Sequence, residues 1–249
     1  MSALETIGLN KSFGALPVAN DIDFRIEPGA RHALIGPNGA GKTTFINLIT
    51  GRLQPTSGRI LLGGQEITQL SQDARVKRGL GRTFQINMLF RGLSVLENVF
   101  LAVCERAGIG RDLLQRANAR RDLVEESYAL LDSLHIADEA LTLVKELPYG
   151  KQRLVELAIA LGLKPTVLLL DEPAAGLPSS ESEVVFETVQ RLPAEIAILI
   201  IEHDMDLVFR LAERITVLVQ GTVLTEGTPA EIAIDPRVRE VYLGERHHG

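Results

Sequence analysis

Residues 36–43 of this chain read GPNGAGKT, which matches the phosphate-binding pattern GxxxxGK[ST]. In that pattern the glycines let backbone N–H groups close around phosphate oxygens, so Gly36, Asn38, Gly39, Ala40 and Gly41 form the expected cradle. Lys42 is placed to reach the β- and γ-phosphates, Thr43 to ligate Mg²⁺ through its hydroxyl, and Thr44 follows it into a helix. A chance match in a chain this long is on the order of one per cent, which favours a phosphate ligand over an ordinary glycine turn. Asp171 closes the apolar run VLLL and Glu172 follows it. That is where a phosphate-loop enzyme needs one acid to hold Mg²⁺ and a second group to orient the attacking water. Taken alone, such a pair can equally cap the next helix, and His203 after AILIIE is by itself more often structural than catalytic.

Elements able to position these residues are visible around them. HALIG at 32–36 reads as a strand that feeds the glycine-rich loop, and TTFINLIT as a helix ending at Gly51. The runs LETIGL, IDFRIEPG and RILLGGQEI read as antiparallel strands joined by hairpins, with Gly63 and Gly64 at one turn. From Ser94 to about Leu163 the pattern is helical, opening on Ser94 and Glu97 at capping-box spacing. Arg116, Arg120 and Arg121 have Asp122, Glu125 and Glu126 beside them and read as a solvated helix face. TVLLLDEP and IAILIIEHD are continuous apolar runs ending in acids, with a capped helix, SSESEVVFETVQRL, between them. Such runs separated by helices indicate a buried parallel sheet. RITVLVQGTVLTEG reads as a C-terminal hairpin, and no linker divides the chain into independent domains.

Composition narrows the partners. The 249 residues, 45% apolar and 23% charged, suit a folded globular domain. Lys and Arg number 26 against 32 Asp and Glu, a net charge of −6 that disfavours nucleic acid as the main ligand. Cys104 is the single cysteine, so no internal disulfide or cysteine metal site is expected, and it reads as a small buried apolar residue. The opening MSALETIGLNK, with Glu5 already in place, is not a secretory start, and a cytoplasmic location is expected. Apolar runs such as Ile196 to Ile201 fall far short of the ~20 residues needed to span a bilayer. A membrane role would need another subunit to supply the span.

The order of these motifs over nearly the whole chain resembles the nucleotide-binding subunits of ATP-binding cassette (ABC) transporters. The resemblance rests on GPNGAGKTT, RTFQ ending at Gln85, LPYGKQRLVELAIAL from Leu147, VLLLDEPAAGL, and EHD containing His203. It is closer to the branched-chain amino acid importer group, through GRTFQINMLFRGLSVLENV, the aromatic in LPYGKQR, and the ending EVYLGE. It implies an α/β fold: a P-loop NTPase parallel-sheet core, an antiparallel β-subdomain and a helical subdomain at 94–163, together one ABC ATPase domain over 1–249. By the same resemblance Phe13 would stack on adenine, and Gln85 would touch Mg²⁺ or the attacking water and pass the nucleotide state to residues 86–91, facing a permease. Asp171 would hold Mg²⁺ through water, Glu172 would be the general base, and His203 would contact the γ-phosphate.

The resemblance also implies that each ATP site is completed by a second subunit, whose segment Leu147, Pro148, Tyr149, Gly150, Lys151 and Gln152 would face the ATP. This chain has Pro148 where the family usually has Ser, Lys151 where it has Gln, and Pro178 where the branched-chain group has Asn. The expected cofactors are ATP and Mg²⁺. The expected partners are a second ATPase subunit in a homo- or heterodimer, transmembrane permease subunits and, indirectly, an extracytoplasmic substrate-binding protein, with no nucleic acid. The chain would then sit on the inner face of the cell membrane as an importer ATPase for branched-chain or related amino acids. One alternative is an ATP-binding regulatory subunit beside a more active ATPase. The other is a soluble ABC ATPase acting on nucleic acid or ribosomes, disfavoured because the chain has no heptad insertion, no second cassette and no basic surplus.

Overall fold

The computed structural model describes residues 1–83, 89–109 and 121–244. The chain opens with β1 (Leu4–Phe13), β2 (Leu16–Ile26), β3 (Arg31–Ile35), α1 (Lys42–Thr50), β4 (Ser57–Leu62), β5 (Gln65–Glu66), α2 (Gln72–Lys77) and β6 (Leu80–Arg82). The middle third carries α3 (Val95–Arg106), α4 (Arg121–Ser133) and α5 (Tyr149–Gly162). The last third runs β7 (Val167–Asp171), α6 (Ser179–Gln190), β8 (Ala197–Ile201), α7 (Met205–Leu211), β9 (Arg214–Val219), β10 (Thr222–Gly227), α8 (Pro229–Ile234) and α9 (Pro236–Gly244). Contacts divide the chain into two compact units, one of Met1–Leu80, Thr166–Glu172 and Pro193 onward, the other of Gly81–Pro165 and Pro173–Leu192. Among the described residues no helix is long and apolar enough to cross a membrane.

Two sheets build the first unit. One is antiparallel in the order β2-β1-β4-β5, and Gly63 and Gly64 turn β4 into β5 at φ 55° and 76°, the left-handed pair that a two-residue hairpin requires. On β2, Ile22, Phe24 and Ile26 face inward while Asp23 and Arg25 face water. The other sheet has the order β10-β9-β3-β8-β7, with Leu80 of β6 at its edge. Here β3, β7, β8 and β9 are parallel, and β10 returns antiparallel beside β9 through Gln220 and Gly221. Val167 to Leu170 and Ala197 to Ile201 are buried without alternation. The continuous apolar runs in the sequence therefore have their cause in a sheet covered on both faces. Each such side chain withdrawn from water contributes about 1.5–3 kcal/mol.

α1 buries Phe45, Ile46, Leu48 and Ile49 and stops at Gly51, whose φ of 80° ends the helix. Its last carbonyls are taken by Arg75 of α2, which is fully buried. Arg75 Nη1 donates to Leu48 O at 2.7 Å and Ile49 O at 2.5 Å, Nη2 to Thr68 O at 2.7 Å, and Nε to Leu70 O at 3.1 Å. A cation at the negative end of the helix dipole satisfies acceptors that the helix cannot. Burial pulls the Arg75 pKa down to about 10. A Cβ at position 51 would lie 2.8 Å from Arg75 Nε, so the glycine also leaves room for the guanidinium.

His32 of β3 is 1% exposed, with Nε2 2.8 Å from Thr216 Oγ1 and its ring edge-on to Phe24 at 4.8 Å. Burial pushes its pKa from 6.5 down to about 4, against the pull of Glu226 and with the help of Arg214. Between those values the unfolded chain binds the proton and the folded chain does not, so stability falls as pH drops from 6.5 toward 4. The full difference is about 3 kcal/mol. The carboxylate of Glu126, held down to about 2 chiefly by the Arg106 hydrogen bond, loses its contribution only below 4.5. The urea midpoint is therefore expected to fall between about pH 7 and about pH 5, and His32→Gln to remove most of that fall. An equal fall in both proteins would show that His32 is not its source.

In the second unit α3 opens on the expected capping box: Ser94 N–H donates to Glu97 Oε2 at 2.7 Å, and Glu97 N–H to Ser94 Oγ at 3.2 Å. Cys104 on α3 is 2% exposed, in keeping with a small core residue. Arg121 pairs with Glu125 at 2.8 Å on an exposed face of α4, whereas Arg116 and Arg120 lie outside the described residues. α6 differs from the sequence expectation of a capped helix. Its N-cap position is Pro178, which has no side-chain oxygen to give, and the serines fall inside the first turn.

Candidate functional site

Because β3, β7 and β8 are adjacent and parallel, their C-terminal ends lie along one edge of the sheet. Ile201 pairs with both Leu34 and Asp171, so the residues that follow all three strands emerge side by side. In open α/β sheets that edge is where ligands bind. Gly36 to Gly41 leave β3 there, Asp171 ends β7 and Glu172 follows it, and Glu202 and His203 follow β8. Phe13, at the end of β1 in the same unit, is 51% exposed, with Lys11 Nζ 5.1 Å above its ring.

The loop is shaped by close approach. A Cβ on Gly36 would collide with the carbonyl oxygen of Leu218, and one on Gly41 would sit 2.9 Å from Val18 O. Gly39, by contrast, has open space around it and is needed for its φ of 76°. Ala40 is buried and its carbonyl accepts from Gly221 N–H at 2.8 Å, which anchors the loop to the β9–β10 turn. Asn38 and Thr43 are exposed and Thr44 is half-buried. Lys42 Nζ donates to the carbonyls of Gly36 and Pro37, curling back over the loop. The ammonium is thus held where an anion in the cradle could take over its hydrogen bonds.

Glu172 is held in the left-handed region at φ 48°, a conformation that costs a non-glycine residue of order 1–3 kcal/mol. Its N–H donates to Ile201 O at 2.9 Å, tying the end of β7 to the end of β8. Its Oε1 lies 3.9 Å from His203 Nδ1, which is also 3.7 Å from Glu202 Oε2. Glu202 is 3% exposed and accepts His203 N–H at 3.1 Å. Sequence alone assigns Glu202 no role; its place directly before His203 is the one available signal. Thr43 and Asp171 offer hard oxygen donors that suit Mg²⁺. Among the described residues no three His, Cys, Asp or Glu converge on a metal site. Gln85 lies outside the described residues.

The segment from Leu147 to Gln152 belongs to the second unit. Leu147 is buried, and Pro148 is the N-cap of α5. Gln152 N–H donates to Pro148 O at 3.1 Å, and its side-chain amide to Leu147 O at 2.9 Å. Tyr149 OH accepts from Arg153 at 3.0 Å, and Arg153 forms a buried pair with Glu156, whose pKa burial raises. Gly150 N–H donates to Glu181 Oε2 at 2.9 Å, and the Lys151 ammonium is bound by Glu139. Both groups expected to face a phosphate are thus engaged within their own unit. Glu181 and Glu139 gave no sequence signal, being 31 and 12 residues from their partners.

The profile of the ABC transporter family matches residues 19–175, and that of the branched-chain amino acid ATP-binding cassette transporter C-terminal family matches 222–248. The chain is 37% identical to the high-affinity branched-chain amino acid transport ATP-binding protein BraF of Pseudomonas aeruginosa, covering 97% of this chain and 98% of that one. It is 38% identical, over the same shares, to LivG of Escherichia coli, which carries the same description. The crystal structure of the ADP conformation of an ATP-binding cassette of an ABC transporter superposes with a TM-score of 0.85 at 30% identity, covering 98% of this chain and 99% of that one.

Proposed function

Since the chain belongs to the ABC transporter family of ATP-binding proteins, we propose that it is the ATP-hydrolysing subunit of an importer for branched-chain or related amino acids. The observation that carries the reading is the shared sheet edge at which the 36–43 loop, Asp171, Glu172 and His203 emerge. In this reading the backbone N–H groups of Gly36 to Gly41 and the Lys42 ammonium bind the β- and γ-phosphates. Thr43, and Asp171 through water, would hold a Mg²⁺ ion, which would supply positive charge to the phosphate oxygens when bound. Glu172 accepts a proton as the water oxygen bonds to the γ-phosphorus and the bond to the β–γ bridging oxygen breaks, giving ADP and phosphate. His203, steadied by Glu202, contacts the γ-phosphate.

The whole span 1–249 then acts as one ATPase domain with a helical subdomain at 94–163. A second copy or a related ATPase supplies Leu147 to Gln152 to complete the site, and Gln85 relays the nucleotide state to permease subunits at the inner face of the membrane. An extracytoplasmic binding protein delivers the cargo to that permease. The test is reconstitution with the permease in vesicles, measuring ATP hydrolysis and entry of labelled leucine together. Uptake that proceeds without this chain or without ATP would overturn the reading. The engagement of Gly150 by Glu181 and of Lys151 by Glu139 favours a second reading, an ATP-binding regulatory subunit. Steady-state hydrolysis by the chain with and without a partner ATPase separates the two.

Phe13→Ala is expected to raise the ATP dissociation constant tenfold or less, because an aromatic contact is worth about 0.5–1.5 kcal/mol. Turnover at saturating ATP should be preserved. Unchanged affinity would remove Phe13 from the adenine site.

A further inference from the structure

The second unit contains a cleft between α5 and α6, about 280 Å³ in volume, whose rim includes Pro148, Gly150 and Lys151 of the segment assigned above to a partner's ATP. Its wall is aliphatic: Leu134, Ile136, Leu154, Val184 and Val185. Four of these are at most 5% exposed, but Val184 is 52% exposed, an aliphatic side chain facing water beside an apolar hollow. The volume lies at or below the ~300 Å³ lower end of drug-sized sites, so an occupant must be small.

Four charged residues also line the cleft, Lys151 and Arg191 against Glu181 and Glu187, and they sum to zero. A purely anionic or purely cationic ligand meets as much repulsion as attraction there. A ligand with both charges close together and an apolar tail satisfies both signs and the wall. We propose that this cleft binds a small aliphatic α-amino acid. Arg191 is its carboxylate partner, because Lys151 is already bound by Glu139 whereas among the described residues Arg191 is held only by an exposed pair with Glu187 at 3.2 Å, of a kind that contributes little. Glu187, released from that pair, and Glu181 receive the ammonium. Glu181 also accepts the Gly150 N–H at 2.9 Å, so the occupant would sit one hydrogen bond from the segment assigned above to a partner's ATP. Binding itself is independent of that assignment.

The test is titration of the intact chain with L-leucine, followed by methyl and amide NMR. Saturable binding is expected, with shifts at the Leu154, Val184 and Val185 methyls and the Gly150 amide. Isocaproate, which lacks the ammonium, and isoamylamine, which lacks the carboxylate, should each bind at least about tenfold more weakly. Val184→Trp should fill the mouth of the cleft and weaken leucine at least about tenfold while ATP binding in the other unit persists. Absence of saturable binding, shifts confined to other residues, equal binding of either analogue, or undiminished binding to folded Val184→Trp would each overturn the proposal. If that variant fails to fold, the wild-type shift map and the two analogues decide alone. Leucine binding by a chain that does not bind ATP would leave this site standing and remove the nucleotide reading instead.

Discussion

Glu172→Gln stops ATP turnover and leaves ATP bound: that is the expected result, with hydrolysis lowered by about 10²–10⁴-fold, the range general-base catalysis contributes. The amide keeps the side chain's length and shape but cannot accept the proton of the attacking water. The left-handed backbone at φ 48° and the N–H bond to Ile201 O do not depend on the carboxylate, so the local fold should persist. Single-turnover hydrolysis and nucleotide binding measured on the same preparation make the comparison. A hydrolysis rate equal to wild type would take the base role from Glu172, leaving the carboxylates of Asp171 and Glu202 as the nearby candidates to examine.

Lys42→Ala is expected to lower turnover at least about 100-fold and to weaken ATP as well. The substitution deletes charge-assisted hydrogen bonds to the β- and γ-phosphates, each worth about 1.5–3 kcal/mol. The same ammonium also donates to Gly36 O and Pro37 O, so part of the loss will come from a looser loop. Thermal unfolding without nucleotide isolates that part, since only the loop's own bonds are then at stake. Wild-type turnover in Lys42→Ala would remove the phosphate-loop assignment altogether.

The half of the site carried by strand ends is legible in the sequence for a physical reason. A parallel strand buried on both faces must be continuously apolar, so the first polar residue after VLLL or AILII marks the sheet edge, and Asp171, Glu172 and His203 are found there. Glycine-rich turns are equally direct: Gly51, Gly63 and Gly64 stand where helix and hairpin end. What the sequence hides is long-range pairing of polar groups. Glu181 is an ordinary first-turn acid on α6 until packing brings it to Gly150 N–H, and Arg75 looks like a surface arginine until four carbonyls surround it. HALIG predicts the strand that carries His32, but only the covering of both faces of the sheet shows that its imidazole is sealed in. Pro148 and Pro178 each take the N-cap position with an extended ψ and supply no side-chain cap, which the residue type alone does not foretell.

The four carbonyls around Arg75 come from two stretches, Leu48 and Ile49 at the end of α1, and Thr68 and Leu70 before α2. Neither stretch can detach alone without leaving a guanidinium in the apolar interior with its donors unmet. The two should therefore melt as one cooperative block rather than fray in turn. In native-state hydrogen exchange, the amides in the last turn of α1 and those of the first residues of α2 should open with one common free energy. The phosphate loop is continuous with α1, so the stability of that block sets how often the loop loses its base.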